Sequence, residues 1–320
     1  MTSTATRPDP RPEAEPDAKP PLALGDRVFK ALSVGSGALI MVALAGVFIF
    51  LALEGYPGLS VDEDFYNPAT TFLGYAGPLL FGTVLAAVIA LVIAVPFAIG
   101  IALFISHYAP RRLAVPVAYL IDLLAAVPSV VFGLWGGREL AQHIGGASVW
   151  LEEHLGFIPL FAGPAAKSGS TMLTAAVVLA IMILPITTAI CREVFAQTPR
   201  LHEEAALALG ATRWEMIRTA VFPYARSGMV SAVMLGLGRA LGETMAVAMI
   251  LSASPVVTLN IISGQSPATI ASNIASNYKE ASPDGQAVLI ATGLVLFAFT
   301  FGVNFLARYL AGRGQRRMAR

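Results

Sequence analysis

Six long apolar runs, separated by short polar segments, dominate the pattern of residues along this chain. They lie near residues 31–53, 79–105, 115–142, 172–191, 227–253 and 287–310. An α-helix needs about 20 predominantly apolar residues to cross the hydrocarbon of a bilayer, and each run is long enough. The pattern therefore predicts an all-α, polytopic membrane protein with about six transmembrane helices.

Prolines interrupt three of these predicted spans, at Pro96, Pro128 and Pro185. Neighbouring helices in a bundle can satisfy the backbone groups that a proline leaves free, so we interpret these residues as kinks rather than helix ends. The third run is the least certain in outline. Pro116 and Pro128 can divide it into a shallow helix on the cytoplasmic side and a separate span.

A polar segment between the fourth and fifth runs, residues 198–223, predicts two short helices joined at a glycine. Thr198 followed by Pro199 is typical of an N-cap with proline at the first helical position. Gly210 is predicted to end this helix in the left-handed conformation. Thr212 and Glu215 have the spacing of a capping box that begins the second helix.

Each of these short helices has one apolar face. Helical periodicity groups Leu201, Ala205, Ala208 and Leu209 on the first, and Trp214, Ile217 and Val221 on the second. A helix pair of this length cannot cross a bilayer. We therefore expect it to lie against a partner at the membrane surface.

Composition supports membrane insertion and divides the chain into regions. Charged residues make up 13% of the 320 residues and the mean hydropathy is +0.70, whereas soluble domains carry about 25% charged residues. Residues 1–27 are rich in proline and poor in apolar residues, so we expect a disordered tail. We assign residues 28–70 to the first span and an outer loop, 71–312 to the main transmembrane domain, and 313–320 to a basic tail.

The distribution of Lys and Arg predicts the orientation. With the N-terminal tail in the cytoplasm, 17 of the 21 Lys and Arg residues fall on the cytoplasmic side. Three fall on the outer side, Arg138, Lys167 and Lys279, and Arg239 lies within a span. This bias puts residues 198–223 and both termini in the cytoplasm. The acidic residues of the first outer loop are either a solvated surface or contacts for an external partner.

Several kinds of chemistry are not indicated. The single cysteine, Cys191, excludes an internal disulfide, and the four histidines lack ligand spacing, so we predict no metal site. The closest approach to a phosphate-binding loop, residues 163–168, lacks the glycine that precedes the lysine of a P-loop. No catalytic arrangement of side chains is recognisable, and we predict that the chain is not an enzyme.

Three ionisable residues lie inside apolar runs: Asp122, Arg239 and Glu243. Each costs about 2.5 to 3.5 kcal/mol at a helix centre and therefore needs a reason. Asp122 is a possible intramembrane charge in the irregular third run. Arg239 and Glu243 are four residues apart, which predicts one helix face. They are either part of a pathway for an anion, which a guanidinium binds well, or an ion pair that only holds the bundle together.

Arg239 lies deep within the predicted fifth span. It lies 13 residues beyond Arg226, which places it about 20 Å into the bilayer. Gly238 and Gly242 have the spacing of a small-xxx-small motif, so we expect a close helix contact beside it.

The polar segment resembles the EAA loop of ABC-importer permeases. Glu204, Ala205, Ala206, Gly210 and Pro223 occupy the positions of that signature, and Ala220 and Phe222 replace its usual isoleucine and leucine. The resemblance implies a type I permease fold and a coupling loop that docks on a separate ATPase subunit. It assigns the docking role to five residues, Glu203, Glu204, Ala205, Ala206 and Gly210.

Other stretches resemble the PstC subunits of bacterial phosphate ABC importers, collinearly from about residue 70 to 311. They are AAVPSVVFGLWG (125–136), LAIMILPITTAICREV (179–194), GLGRALGETMAV (236–247) and LFAFTFGVNFLA (296–307), the last with Asn304 in its usual place. This resemblance implies that Arg239 and Glu243 serve phosphate passage.

The resemblance also implies the surroundings of the chain. It would form the phosphate pathway with a sister permease, on two ATPase subunits that hold ATP and Mg²⁺, and receive phosphate from an extracytoplasmic binding protein. The chain itself would bind no cofactor and no nucleic acid, and would reside in the plasma membrane of a bacterium. The alternatives are a permease for another oxyanion, such as molybdate or sulfate, and a non-transporting scaffold that regulates through the ATPase.

Overall fold

The computed structural model describes residues 24–61, 71–254 and 256–318. The regular secondary structure of the described part is helical except for one two-stranded pair. The helices are α1 Leu24–Gly55, α2 Phe72–Leu103, α3 Arg111–Ala125, α4 Ser129–Trp135, α5 Ala141–Leu155, α6 Met172–Ala196, α7 Arg200–Ala208, α8 Arg213–Met216, α9 Phe222–Leu241, α10 Met245–Ile250, α11 Ile270–Asn277 and α12 Pro283–Met318. Strands β1 Ala253–Ser254 and β2 Ser266–Pro267 pair in parallel.

Single π-helical turns connect two pairs of helices and extend a third helix. Phe104–Tyr108 extends α2, Gly136–Leu140 connects α4 to α5, and Ile217–Val221 connects α8 to α9. Five helices are then long and apolar enough to cross a membrane. The sixth candidate is the pair Arg111–Ala125 and Ser129–Leu155, which bends by 92° at its break. The prediction of about six spans is confirmed on this count.

The prolines act differently from one another. Pro96 and Pro185 lie inside α2 and α6, which continue through them as predicted. Pro128 is instead the N-cap of α4, at the bend, so its interpretation as a kink inside a span is wrong. The predicted division of the third run occurs there, and α3 continues through Pro116.

Some predicted boundaries shift. The first helix begins at Leu24, so residues 24–27 are helical rather than part of the tail, while residues 1–23 lie outside the described residues. The last helix continues to Met318, into the stretch assigned to the basic tail. Three of the outer acidic residues, Asp62, Glu63 and Asp64, also lie outside the described residues.

The chain divides into two units, residues up to Ile49 and residues from Phe50 onward. The first unit, as far as it is described, is most of α1, and its side chains from Gly25 to Ile49 are all exposed. Such an apolar, fully exposed helix is typical of a surface that lipid or another chain covers.

The second unit packs around α2 and α6. Ala86, Ala90, Ala94 and Ala98, spaced four residues apart on α2, are almost completely buried. Small side chains of this kind let membrane helices approach closely. Met172, Leu179 and Ile183 of α6 fill the same cluster, together with Leu241 and Val247. The helix that carries Arg239 is therefore held against a rigid pair.

Two ends of this unit can be distinguished. We call the end that contains α7 and residues 109–112 the α7 end. The other, the far end, contains residues 156–171 and 251–282. Its segments are tied together by hydrogen bonds, including Asn260 Nδ2 to the Gly163 carbonyl at 3.0 Å and the Met172 amide to Ser266 Oγ at 3.2 Å.

Candidate functional site

A cavity of about 740 Å³ lies between α9 and α12 and contains the predicted pathway arginine. Arg239 reaches it from the last turn of α9. Asn304 and Arg308 line it from α12. The remaining lining residues are Ile186, Val230, Ser231, Met234, Leu235, Gly238 and Ala307.

Arg239 retains unused hydrogen-bonding capacity. Its Nε is buried and has no hydrogen-bond partner in the described part of the chain. The close contacts between acidic and basic side chains found among the described residues lie elsewhere, between His107 and Glu203 and between Arg192 and Asp122. An unsatisfied buried donor costs about 1 to 3 kcal/mol, and more when it is charged. An anion in the cavity would remove this cost.

The prediction that Arg239 and Glu243 share one helix face is wrong. Helix α9 ends at Leu241 with Gly242 as its C-cap, and a new helix, α10, begins at Met245. The run predicted as one span over 227–253 is therefore broken. No ion pair joins Arg239 to Glu243 among the described contacts, so the interpretation as a structural ion pair has no support in this conformation.

Glu243 has a local partner instead. Its side chain is only 9% exposed, and Oε1 accepts a hydrogen bond from the Ala246 amide at 3.2 Å. An acidic acceptor at the first turn of a helix satisfies a free backbone N–H and interacts favourably with the helix dipole. Glu243 thus stabilises the break that follows Arg239.

The predicted close helix contact is made by Gly236 rather than Gly238, about half a helical turn away. A Cβ at Gly238 would meet no atom within 4 Å, because Gly238 faces the cavity. A Cβ at Gly236 would lie 3.0 Å from Thr187 Oγ1 of α6. Gly236 therefore makes the tight contact, and Gly238 keeps the cavity wall open.

Asp122 is not part of the cavity. It lies on α3, with its side chain 53% exposed, and its Oδ1 is 3.9 Å from an Arg192 nitrogen of α6. Exposed pairs at such distances contribute little to stability. The charge has a partner near the α7 end and needs no ligand to explain it.

Within residues 198–223, the turn at Gly210 and the N-cap at Thr212 have the predicted local geometry. Gly210 adopts φ +86° between α7 and α8. Thr212 and Glu215 form a complete capping box, with the Glu215 carboxylate 2.8 Å from the Thr212 amide. The predicted N-cap is wrong, because Pro199 occupies that position and the Thr198 hydroxyl is buried without a partner.

The second short helix is not separate from the span that follows it. Segments α8 and α9 form one continuous helix, Arg213–Leu241, because the π-turn between them keeps the backbone helical. Trp214 and Arg239 consequently share a single helix. Their separation along its axis is about 38 Å.

The five residues assigned to docking divide between two faces. Glu204 and Ala205 are exposed, next to Leu201 and Leu209, which are 73% and 90% exposed. This is the predicted apolar face, and it is free in the described chain. A surface with two exposed leucines around small residues suits a protein partner.

The other face of α7 packs inward. Glu203 Oε1 lies 3.6 Å from His107 Nε2 at the end of α2. Ala206 packs against the cluster that contains Phe195, Ile217 and Val221. Helix α7 is thus attached both to α2 and to the start of the helix that carries Arg239, and Gly210 sets the turn between them.

The position of Arg308 in the cavity was not predicted from the sequence. Its charge was counted only as part of the cytoplasmic bias. Arg308 follows Asn304 by four residues, which puts both on one helix face. This spacing was the feature of the sequence that could have indicated it. No group of three or more potential metal ligands occurs among the described residues.

Comparison with known proteins gives concordant matches. Residues 94–315 match the family described as "Binding-protein-dependent transport system inner membrane component". The chain is 43% identical over 304 residues to "Phosphate transport system permease protein PstC 2" of Mycobacterium tuberculosis, across 91% of this chain and 93% of that protein. It is 44% identical over 299 residues to "Phosphate transport system permease protein PstC" of Mycobacterium leprae, across 90% and 93%.

A solved structure shows the same fold. A chain of the inward-facing MetNI methionine ABC transporter superposes with a TM-score of 0.50 and 14% identity, covering 75% of this chain and 94% of that one. At this identity the likeness concerns the fold alone.

Proposed function

The chain belongs to the family of binding-protein-dependent transport system inner membrane components, and we propose that it is the PstC-type permease subunit of an ATP-driven phosphate importer. The family and the shared fold confirm the predicted ABC-importer permease fold. The proposed substrate is inorganic phosphate, the transport function named in the relatives from both mycobacteria.

The observation that carries this proposal is the guanidinium of Arg239 in the cavity. Its Nε has no protein partner and no acid neutralises it among the described contacts. A planar guanidinium matches the oxygens of a phosphate in a bidentate way. We assign Arg239 to the phosphate pathway and Glu243 to the same region, where its carboxylate holds the helix break behind the arginine.

Coupling to ATP hydrolysis would proceed through α7. We propose that Glu204, Ala205, Leu201 and Leu209 dock on an ATPase subunit, which alone binds ATP and Mg²⁺. Closure of two such subunits would move α7 as a rigid body. The movement would pass through the His107–Glu203 contact to α2, and through the continuous helix Arg213–Leu241 to the cavity.

The orientation follows from the charge bias. We propose that the α7 end faces the cytoplasm and that both termini are cytoplasmic, because 17 of the 21 Lys and Arg residues then lie on that side. The location would be the plasma membrane of a bacterium. The far end would receive phosphate from an extracytoplasmic binding protein.

A sister permease would complete the pathway. The cavity between α9 and α12 is only partly enclosed by this chain, and Gly238 leaves its wall without side-chain bulk. A second permease packed against the cavity would close it around the anion.

Transport by the reconstituted complex tests the proposal. The chain would be co-purified with its sister permease and ATPase, inserted in liposomes, and supplied with the phosphate-loaded binding protein and ATP. We expect ATP-dependent uptake of labelled phosphate, with no competition from a tenfold excess of sulfate or molybdate. Preferred uptake of sulfate or molybdate would indicate another oxyanion, and absence of any uptake by an assembled, ATP-hydrolysing complex would favour the regulatory scaffold.

A further inference from the structure

The cavity holds a second arginine, which lies on a different helix from Arg239. Arg308 lines the cavity from α12 and is exposed. It stands one helical turn beyond Asn304. None of the ten lining residues is an aspartate or glutamate, so both guanidinium charges act on the cavity without a neutralising acid among them.

Few other lining groups can donate a hydrogen bond to an anion. Ser231 Oγ already donates to the Ser227 carbonyl at 3.0 Å and retains only acceptor capacity. Asn304 Nδ2 donates one hydrogen to the Thr300 carbonyl at 3.0 Å, and its second N–H stays available. Arg239, Asn304 and Arg308 are therefore the lining side chains that can bind an oxyanion.

The two arginines lie at different depths. Helix α9 runs away from the α7 end, and Arg239 is eight residues beyond the lining residue Ser231, about 12 Å farther from that end. Helix α12 runs toward the α7 end, and Arg308 is about 6 Å closer to it than Asn304. Among the lining residues of its own helix, Arg239 is thus the one farthest from the α7 end and Arg308 the one nearest to it.

We propose that Arg308 is a second contact for the phosphate oxyanion and that it accepts the anion from Arg239, by way of Asn304, before release at the α7 end. This inference rests on the proposed function. An anion held by a single buried cation leaves slowly, whereas a second, weaker site lowers the barrier to departure. Arg308 would act on the release of phosphate rather than on its capture from the far end.

The test compares variants of the reconstituted complex in liposomes of zwitterionic phosphatidylcholine. Arg308→Gln is expected to lower the maximal rate of phosphate uptake roughly two- to fivefold, the size of one exposed charged contact. The phosphate-loaded binding protein should reach half-saturation at an unchanged concentration. Arg308→Lys should retain most of the rate because it keeps the charge. Arg226→Gln is the matched control, since it removes an exposed arginine of α9 that is not among the lining residues.

A second variant keeps Arg308 in place. Ala307→Glu adds an opposing charge beside it on the cavity wall and should reproduce the lower rate. Maximal rates equal to wild type in both Arg308→Gln and Ala307→Glu would overturn the inference. So would a loss in Arg308→Gln that appears only in liposomes containing anionic lipid, because the arginine would then bind a lipid headgroup. Failure of the proposed function is distinct, since the wild-type complex would then move no phosphate.

Discussion

Replacement of Gly210 tests whether the loop between α7 and α8 docks on the ATPase in the turn conformation that the structure shows. Gly210 has φ +86°, a conformation that costs a residue with a Cβ about 1 to 2 kcal/mol. A Cβ at this position would meet no atom within 4 Å. The whole effect of Gly210→Ala is therefore backbone strain, with no contribution from a steric clash.

This strain lowers the affinity if docking requires the turn and the undocked loop of the variant relaxes into another conformation. A cost of 1 to 2 kcal/mol weakens binding about 5- to 30-fold. We expect this loss for Gly210→Ala, a larger one for the β-branched Gly210→Val, and little for Gly210→Asn, because asparagine tolerates the left-handed region. The matched control is Gly146→Ala, which also adds a Cβ in open space but within the right-handed helix α5.

The assay is a titration of the ATPase subunit onto the two permeases held in lipid nanodiscs, followed by the ratio of phosphate transported to ATP hydrolysed. Weaker binding or a lower ratio in the order asparagine, alanine, valine supports the docking role. Equal binding and an equal ratio for wild type and Gly210→Val would refute it, as would a similar loss in Gly146→Ala.

Three further predictions concern orientation, the helix break and the inner face of α7. In cells that lack the ATPase subunit, which would otherwise cover Leu209, Leu209→Cys should create the one accessible thiol, because Cys191 is completely buried. An impermeant maleimide should then label it in inside-out vesicles but not in intact cells. Glu243→Ala should destabilise the break by about 0.5 to 2 kcal/mol, whereas Glu243→Gln keeps an acceptor and should leave the thermal stability nearly unchanged. His107→Gln and Glu203→Gln should each reduce the phosphate transported per ATP hydrolysed, and the double variant should be no worse than either alone.

Features that depend on short stretches of sequence could be predicted. The apolar runs locate the spans because the bilayer requires them, and the Thr212–Glu215 box and the left-handed Gly210 follow from residues three or four positions apart. The exposed face of Leu201 and Leu209 follows from helical periodicity in the same way.

Features that depend on the packing of separate helices could not be predicted from the sequence. The apolar run through 227–253 does not indicate that the helix ends at Gly242. The hydrogen bond that the Glu243 carboxylate accepts forms only once the helix has ended there. Gly236 and Gly238 are equivalent in sequence, and the position of α6 decides which one makes the tight contact. The cavity role of Arg308 requires α12 to lie beside α9.

Phosphate uptake by Arg239 variants decides whether phosphate passes along this arginine. We would measure uptake, membrane abundance and assembly with the ATPase in parallel for Arg239→Gln, Arg239→Lys and the double variant Arg239→Gln, Glu243→Gln. We expect assembled complexes in which Arg239→Gln transports no phosphate and Arg239→Lys recovers little, because a point charge lacks the planar fork. The double variant should be as inactive as Arg239→Gln. Uptake restored in the double variant, or retained in Arg239→Gln, would contradict a phosphate pathway through Arg239.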